Sequence, residues 1–338
     1  MKFSKIPCST LSGFLQDPDG LRKRHPNDSF IDRFEPLNSL ALYSLSAAIW
    51  GSTWLVITFQ LGAASPMVSV FLRFLLATVL SFGLVLVLKK PLVFSRRNHL
   101  FFALQGLFNF SLNYNFTYFS ETMIPSGLVA VTFTLVIYFN ILGLRFIYGK
   151  SIDRKVIISA LLGASGIFLI FQSEIEKLGN PQQTMLGLAL GVIATFFASC
   201  GNMVTVRNAK HKLDVLSVNT WSMLYGSLCT LVFILISGQP WSVDWSLTYV
   251  SSLFYLSIFG TVIAFWAYLT LIGNIGADRA AYISVITPVI AIGLSLAFEG
   301  YELHSTTVIG VVLCLLGNYF VLSKPTRDKN SRSSLQPK

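Results

Sequence analysis

The chain has 338 residues, 53% apolar and 14% aromatic but only 12% charged, with a mean hydropathy of +0.64. A soluble globular domain carries about 25% charged residues, so this chain lacks the polar surface to coat itself in water and needs lipid as part of its solvent. The net charge of +10 does not point to nucleic acid, because the Lys and Arg residues sit between apolar runs rather than along a basic stripe.

Residues 1–38 are polar and mixed in charge, with no apolar run behind Met1-Lys2. They read as a cytoplasmic tail and not as a cleaved signal peptide. Ten stretches then approach the ~20 apolar residues that a helix needs to cross hydrocarbon. They lie near 40–61, 66–88, 98–119, 125–147, 154–171, 184–206, 214–237, 246–272, 278–299 and 305–323. Their all-round apolarity excludes the alternation of a membrane β-barrel. Residues 324–338 form a basic tail.

The connections alternate in charge. Lys89, Lys90, Arg96 and Arg97 follow the second stretch. Lys150, Arg154 and Lys155 follow the fourth, and Arg207, Lys210 and Lys212 the sixth, while the loops on the other side carry only Glu121, only Asp244, or Lys177 against Glu174 and Glu176. Positive charge stays with the cytoplasm, which places both termini there. With Arg145, at the inner end of span 4, counted on the cytoplasmic side, only Lys177 of the 25 Lys and Arg residues falls outside and only Arg73 lies within the bilayer.

Sliding the chain against itself by 151 residues superposes the runs and loops and brings Ala130 onto Ala281, Gly149 onto Gly300 and Gly166 onto Gly317. Five spans is an odd number, so the second unit enters from the opposite side. The expected fold is all-α and integral to the membrane: ten transmembrane helices as two inverted five-helix repeats, 39–172 and 184–323, with a cavity near the midplane.

Several residues then carry a resemblance. Trp50-Gly51-Ser52-Thr53-Trp54 in span 1, Pro66 with Phe71-Leu72-Arg73-Phe74 in span 2, and Phe265-Trp266-Ala267-Tyr268 in span 8 are three of its parts. Gly276-Ala277-Asp278-Arg279-Ala280-Ala281 before span 9, and Thr287-Pro288 with Glu299-Gly300 around its outer half, complete the order. Over residues 40–323 the chain resembles the EamA-type branch of the drug/metabolite transporter superfamily. The resemblance implies a secondary, non-ATP exporter of a small metabolite or drug-like solute in the plasma (inner) membrane, working by alternating access. It departs in the first repeat, where Ile137 stands opposite Pro288 and Tyr148 opposite Glu299.

Arg73 lies inside a span, where charge costs several kcal/mol. It reads either as a cavity cation for an anionic group or as a clamp on neighbouring helices. Gln105, Asn109 and Asn113 at i, i+4, i+8 share one helix face, with Tyr114, Asn115 and Tyr118 close by. They line the pathway or bond to other helices. Trp50 and Trp54 at mid-membrane form a cavity wall or simply pack. Ser52 lies in the same motif. Asn202, Trp221, Trp266 and Tyr282 are the second-half candidates, and Pro288 frees a backbone carbonyl for a kink or gate.

Absences narrow the function. No acidic residue stands at mid-membrane. The segment Gly143 to Ser151 has five residues between its glycines where a P-loop needs four. Cys8, Cys200, Cys229 and Cys314 form no metal or disulfide spacing. No cofactor or metal is expected, and the partners are a small solute and the bilayer. An enzyme embedded in the membrane and a non-transporting receptor or scaffold are the alternatives; direction, coupling and oligomeric state stay open.

Overall fold

The computed structural model describes residues 39–149, 152, 154–177, 180–275, 280, 282–302 and 304–322. Both tails, Lys150, Ser151, the Gly276-Ala277-Asp278-Arg279 step and Ala281 lie outside these. The described chain is helical, without a strand. In chain order the helices are α1 (Ser39–Thr58), α2 (Pro66–Val87), α3 (Arg96–Gln105), α4 (Asn113–Glu121), α5 (Ser126–Thr132), α6 (Val136–Tyr148), α7 (Arg154–Lys177), α8 (Pro181–Lys210), α9 (Val215–Ser237), α10 (Leu247–Ser257), α11 (Ala264–Ile275), α12 (Ile283–Phe298) and α13 (Ser305–Leu322). A π-helical stretch, Gly106–Leu112, joins α3 to α4, and another, Ile258–Ile263, joins α10 to α11. A 3₁₀ turn, Phe133–Leu135, joins α5 to α6.

Among the described residues, eight helices are long and apolar enough to cross a membrane. The α3–α4 helix is absent from the eight because Arg96, Arg97, Asn98 and His99 open it and Asn109, Asn113 and Asn115 interrupt its apolar run. α12 is apolar but has 16 residues, short of the ~20 needed.

Local chemistry sets the helix ends. Ser95 and Ser246 accept the backbone N–H of Asn98 and Tyr249 to start α3 and α10, and Asn180 and Asp214 do the same for α8 and α9. Each satisfies a donor that the helix start leaves free. Gly149 and Gly300, with φ of 68° and 64°, stop α6 and α12 in the left-handed region that favours glycine.

The basic loops meet at one end of the bundle. There Arg207 donates to Asn98 at 3.1 Å and covers the Phe101 ring, Lys210 covers the Tyr148 ring, and Trp221 Nε1 donates to the Leu92 carbonyl. At the opposite, acidic end the Ser126 backbone N–H and hydroxyl both donate to Glu299, Ser120 donates to the Gly187 carbonyl, and the Ser65 N–H donates to the Ser242 carbonyl.

Contacts recur at the spacing of 151. Gly166 on α7 lies against the Gly310 carbonyl and Cys314 of α13; 151 residues on, Gly317 lies against the Ser159 carbonyl and Gly163. Cys314 Sγ donates to the Gly163 carbonyl, a pair itself separated by 151. Gly51 packs on Ile290, and Asn202 donates to Asn140, its counterpart within one residue. Gly106 lies on the Ser222 carbonyl of α9, and Ser257, its equivalent, donates to the Arg73 carbonyl of α2. The two π-helical stretches end at Leu112 and Ile263, again 263 − 112 = 151 apart.

Candidate functional site

The basic end holds a cavity of about 740 Å³ between α3, α6 and α8. α8 supplies Phe196, Cys200, Met203 and Arg207 at i, i+4, i+7, i+11, which is one helix face. α6 supplies Phe139, Gly143 and Phe146 in the same way, and Phe101 and Phe108 close it from the α3 side. Phe146 is 82% exposed, so the cavity is open along α6. Its wall is aromatic and apolar apart from Arg207, and the Lys210 ammonium lies over the ring of Tyr148, another lining residue. Such a space accepts a solute with an apolar body, and the two cations attract a carboxylate.

A second cluster sits toward the acidic end and is closed. Arg73, 1% exposed, stacks on the Tyr114 ring at 4.7 Å and the Phe74 ring at 5.5 Å. Its Nη1 donates to the Tyr118 hydroxyl at 3.4 Å, which donates to Gln60 Oε1 at 2.7 Å. Its Nη2 lies against Gly260 in the second π-helical stretch. Arg73 therefore ties α2 to α4 and the span-8 helix, and it does not line the cavity. Arg73 Nε, Gln60 Nε2, and both carboxylate oxygens of Glu121 are buried without a hydrogen-bond partner. Glu121 stands at the end of a helix, as its position in the chain implies, yet only 7% of it is exposed.

The amides of span 3, which run through a π-helical stretch, are engaged by neighbouring helices. Gln105 turns to α8 and α9, donating to Asn219 and accepting from Asn208, both at 2.9 Å. Asn109 lies against Gly201 of α8, and Asn113 donates back to the Asn109 carbonyl. Asn115 and Ser111 reach Thr230 on α9.

The remaining predicted residues are spread through the bundle. Ser52 shares a 2.8 Å hydrogen bond with the Tyr255 hydroxyl. Trp50 packs on Phe265 and Tyr268, and Trp54 on Phe133. Asn202 bonds Asn140 one turn from the cavity wall. Trp221 belongs to a cluster with Phe82, His99 and Tyr225 at the basic end. Tyr282 meets Tyr319, Trp266 is 38% exposed, and Pro288 is buried inside α12. None of these lines the 740 Å³ cavity. The residues that do were visible as aromatic side chains at helical spacing on α6 and α8. Among the described residues no group of His, Cys, Asp or Glu is arranged to hold a metal.

The model of the EamA-like transporter family matches the chain twice, over residues 38–172 and 185–323. The chain belongs to the EamA-like transporter family. It is a membrane transporter, in keeping with its eight long apolar helices. It is 24% identical to a probable amino-acid metabolite efflux pump of Escherichia coli K12, over 81% of this chain and 91% of that protein. It is 28% identical to the uncharacterized inner membrane transporter YedA of the same organism, over 87% and 96%. A crystal structure of a protein 15% identical in sequence superposes with a TM-score of 0.61 over 84% of this chain and 96% of that one, a likeness of fold alone.

Proposed function

We propose that this EamA-like transporter is a secondary exporter of a small solute with an apolar or aromatic body and a carboxylate, working by alternating access in an inner membrane. The ten spans are α1, α2, α3–α4, α5–α6, α7, α8, α9, α10–α11, α12 and α13, arranged as two inverted repeats. The basic end faces the cytoplasm. Support for the repeat comes from the exchange of contacts at 151 residues, which a two-fold axis in the membrane plane produces and a simple ten-helix bundle does not.

The observation that carries the export reading is the difference between the ends. The acidic end is closed by Glu299 on Ser126, while the basic end holds the cavity, lined in part by Arg207. A carrier resting in this conformation offers its binding space to the cytoplasm. The aromatic wall and paired cations suit an amino-acid-like solute, which agrees with the name of the efflux-pump relative. No nucleotide enters this scheme.

The test is uptake and counterflow in proteoliposomes, first with aromatic amino acids and their deaminated acids, then with pooled metabolites. Accelerated exchange of at least one such solute is expected. If monodisperse, folded protein moved no small solute in either direction, a receptor or scaffold would be the better reading.

A further inference from the structure

We propose that Glu121 is a proton-binding site that couples the acidic-end gate to the proton concentration outside. The inference rests on the alternating-access reading of that end. Glu121 closes α4 with both carboxylate oxygens buried and unpartnered. The charged groups whose fields reach it are Glu299, at the end of α12, and Arg73, on α2. Tyr118, one turn back, interacts with it too. Tyr114 stacks under Arg73, and Tyr301 lies in the core cluster with Ile124 and Leu128.

The charges do not close. With both carboxylates ionised two negative charges face one guanidinium, with Glu121 and Arg73 buried and Glu299 half-buried. Glu299 is stabilised by two donors from Ser126, at 3.2 and 2.7 Å. Glu121 has none, and a buried carboxylate without a donor is costly. One proton on Glu121 balances Arg73 against Glu299 and lets the gate stay shut. Loss of that proton leaves a bare carboxylate beside a second one. Its relief is water, which enters only if α4 and the Glu299–Ser126 contact separate. The proton comes from the outer solution when the gate is open and returns there when it opens again, so no other reactant is needed. In an exporter this makes an acidic exterior favour return to the cytoplasm-open state.

The experiment uses the full chain in proteoliposomes, with Cys8, Cys200, Cys229 and Cys314 changed to Ala and a reporter Ile124→Cys beneath the gate (Ile124 is 4% exposed). Labelling by a membrane-impermeant maleimide from the outside is compared with an exposed control, Thr122→Cys, to remove the thiol's own pH response. The corrected rate should rise between pH 5.5 and 8.5, by up to about tenfold per pH unit, the limit for one linked proton. Glu121→Gln should abolish that rise and stay slow, and Glu121→Asp should keep a rise with a shifted midpoint. Exchanging choline for sodium at fixed pH should change nothing. A rise that survives in Glu121→Gln, or its absence in the parent, would overturn the proton site, and protection by sodium would make it a metal-cation site instead. Glu299→Gln separates the two readings. If only the proton site is wrong, this variant still labels fast, without pH dependence. If the gate itself is wrong, residue 124 stays unlabelled in every variant at every pH.

Discussion

Positions 151 residues apart at the two ends of this bundle make different contacts. At the acidic end Glu299 accepts two hydrogen bonds from Ser126. At the basic end the matching position, 299 − 151 = 148, is Tyr148, a neutral side chain whose hydroxyl donates a single hydrogen bond to the Met203 carbonyl of α8. Arg73 has Leu224 as its counterpart and Pro288 has Ile137. The acidic end thus carries a carboxylate contact and a buried cation, and the matching positions at the basic end carry neither. On the proposed two-fold, alternating-access reading, equal ends would populate both open states equally, and these unequal residues would set which one is the resting state.

The largest expected effect is at Arg73. Its guanidinium is stacked on Tyr114 and Phe74 and holds Tyr118. A desolvated cation–π contact is worth about 2 kcal/mol. Losing it at the transport transition state would slow exchange by ~30-fold. Arg73→Ala should therefore cut counterflow by at least that factor while the protein still inserts and stays monodisperse. Arg73→Lys keeps the charge without the planar stack and should recover only part. Normal transport by Arg73→Ala would remove the buried cation from the comparison of ends.

Next comes the latch. A hydrogen bond to a charged group contributes about 1.5–3 kcal/mol, so Glu299→Gln should shift the gate toward opening by ~10- to 100-fold. Tyr148→Glu is the mirrored change and gives the basic end a carboxylate. It should slow modification of the native Cys200, which lines the cavity, from the cytoplasmic side. If Tyr148→Glu leaves Cys200 equally reactive, the missing carboxylate is not what keeps that end open.

A smaller effect is expected for filling the cavity. Met203 is 6% exposed and borders Gly143 and the cavity. Met203→Trp adds volume where there is space, so the usual overpacking cost of about 1–3 kcal/mol should be largely avoided. Thermal stability should change by a few degrees at most, while the apparent affinity for the solute falls ~5- to 10-fold, a change of about 1–1.4 kcal/mol. Unchanged affinity would move the binding space toward the Asn109–Gly201 contact instead.

Hydropathy marked the eight helices that, among the described residues, are long and apolar enough to cross a membrane, because apolar runs of that length follow from the cost of moving polar groups out of water. The offset of 151 was legible in a few glycines: close approach of neighbouring helices explains Gly166 and Gly317, and a left-handed backbone explains Gly149 and Gly300. The π-helical stretches were not legible: apolar content is blind to whether a turn closes at i+4 or i+5. The partners of the amides were not legible either, because Asn208, Asn219 and Thr230 lie about a hundred residues further along the chain. The cavity wall was present as Phe196, Cys200, Met203 and Arg207 at helical spacing, but a chain with 28 Phe offers many such faces. Glu121 looked like a loop residue because its burial comes from neighbours far along the chain, Arg73 and Glu299 among them.

The smallest prediction tests the basic end by its surface. Lys90 Nζ and Asp214 Oδ2 are 3.7 Å apart, with 42% and 24% of the side chains exposed. Asp214 also caps α9 by accepting from the Ser217 N–H. An exposed ion pair contributes ~0.2–1 kcal/mol and weakens with salt. Lys90→Ala should therefore lower the thermal midpoint by no more than a degree or two and leave the gate and transport rate unchanged. Asp214→Ala removes the cap as well, worth about 1 kcal/mol, so it should cost more than Lys90→Ala, and the excess should persist at high salt. Equal and fully salt-sensitive losses would mean that Asp214 acts by charge alone. A transport defect in Lys90→Ala would mean that the ion pair, and not only the cavity wall, distinguishes the basic end from the acidic one.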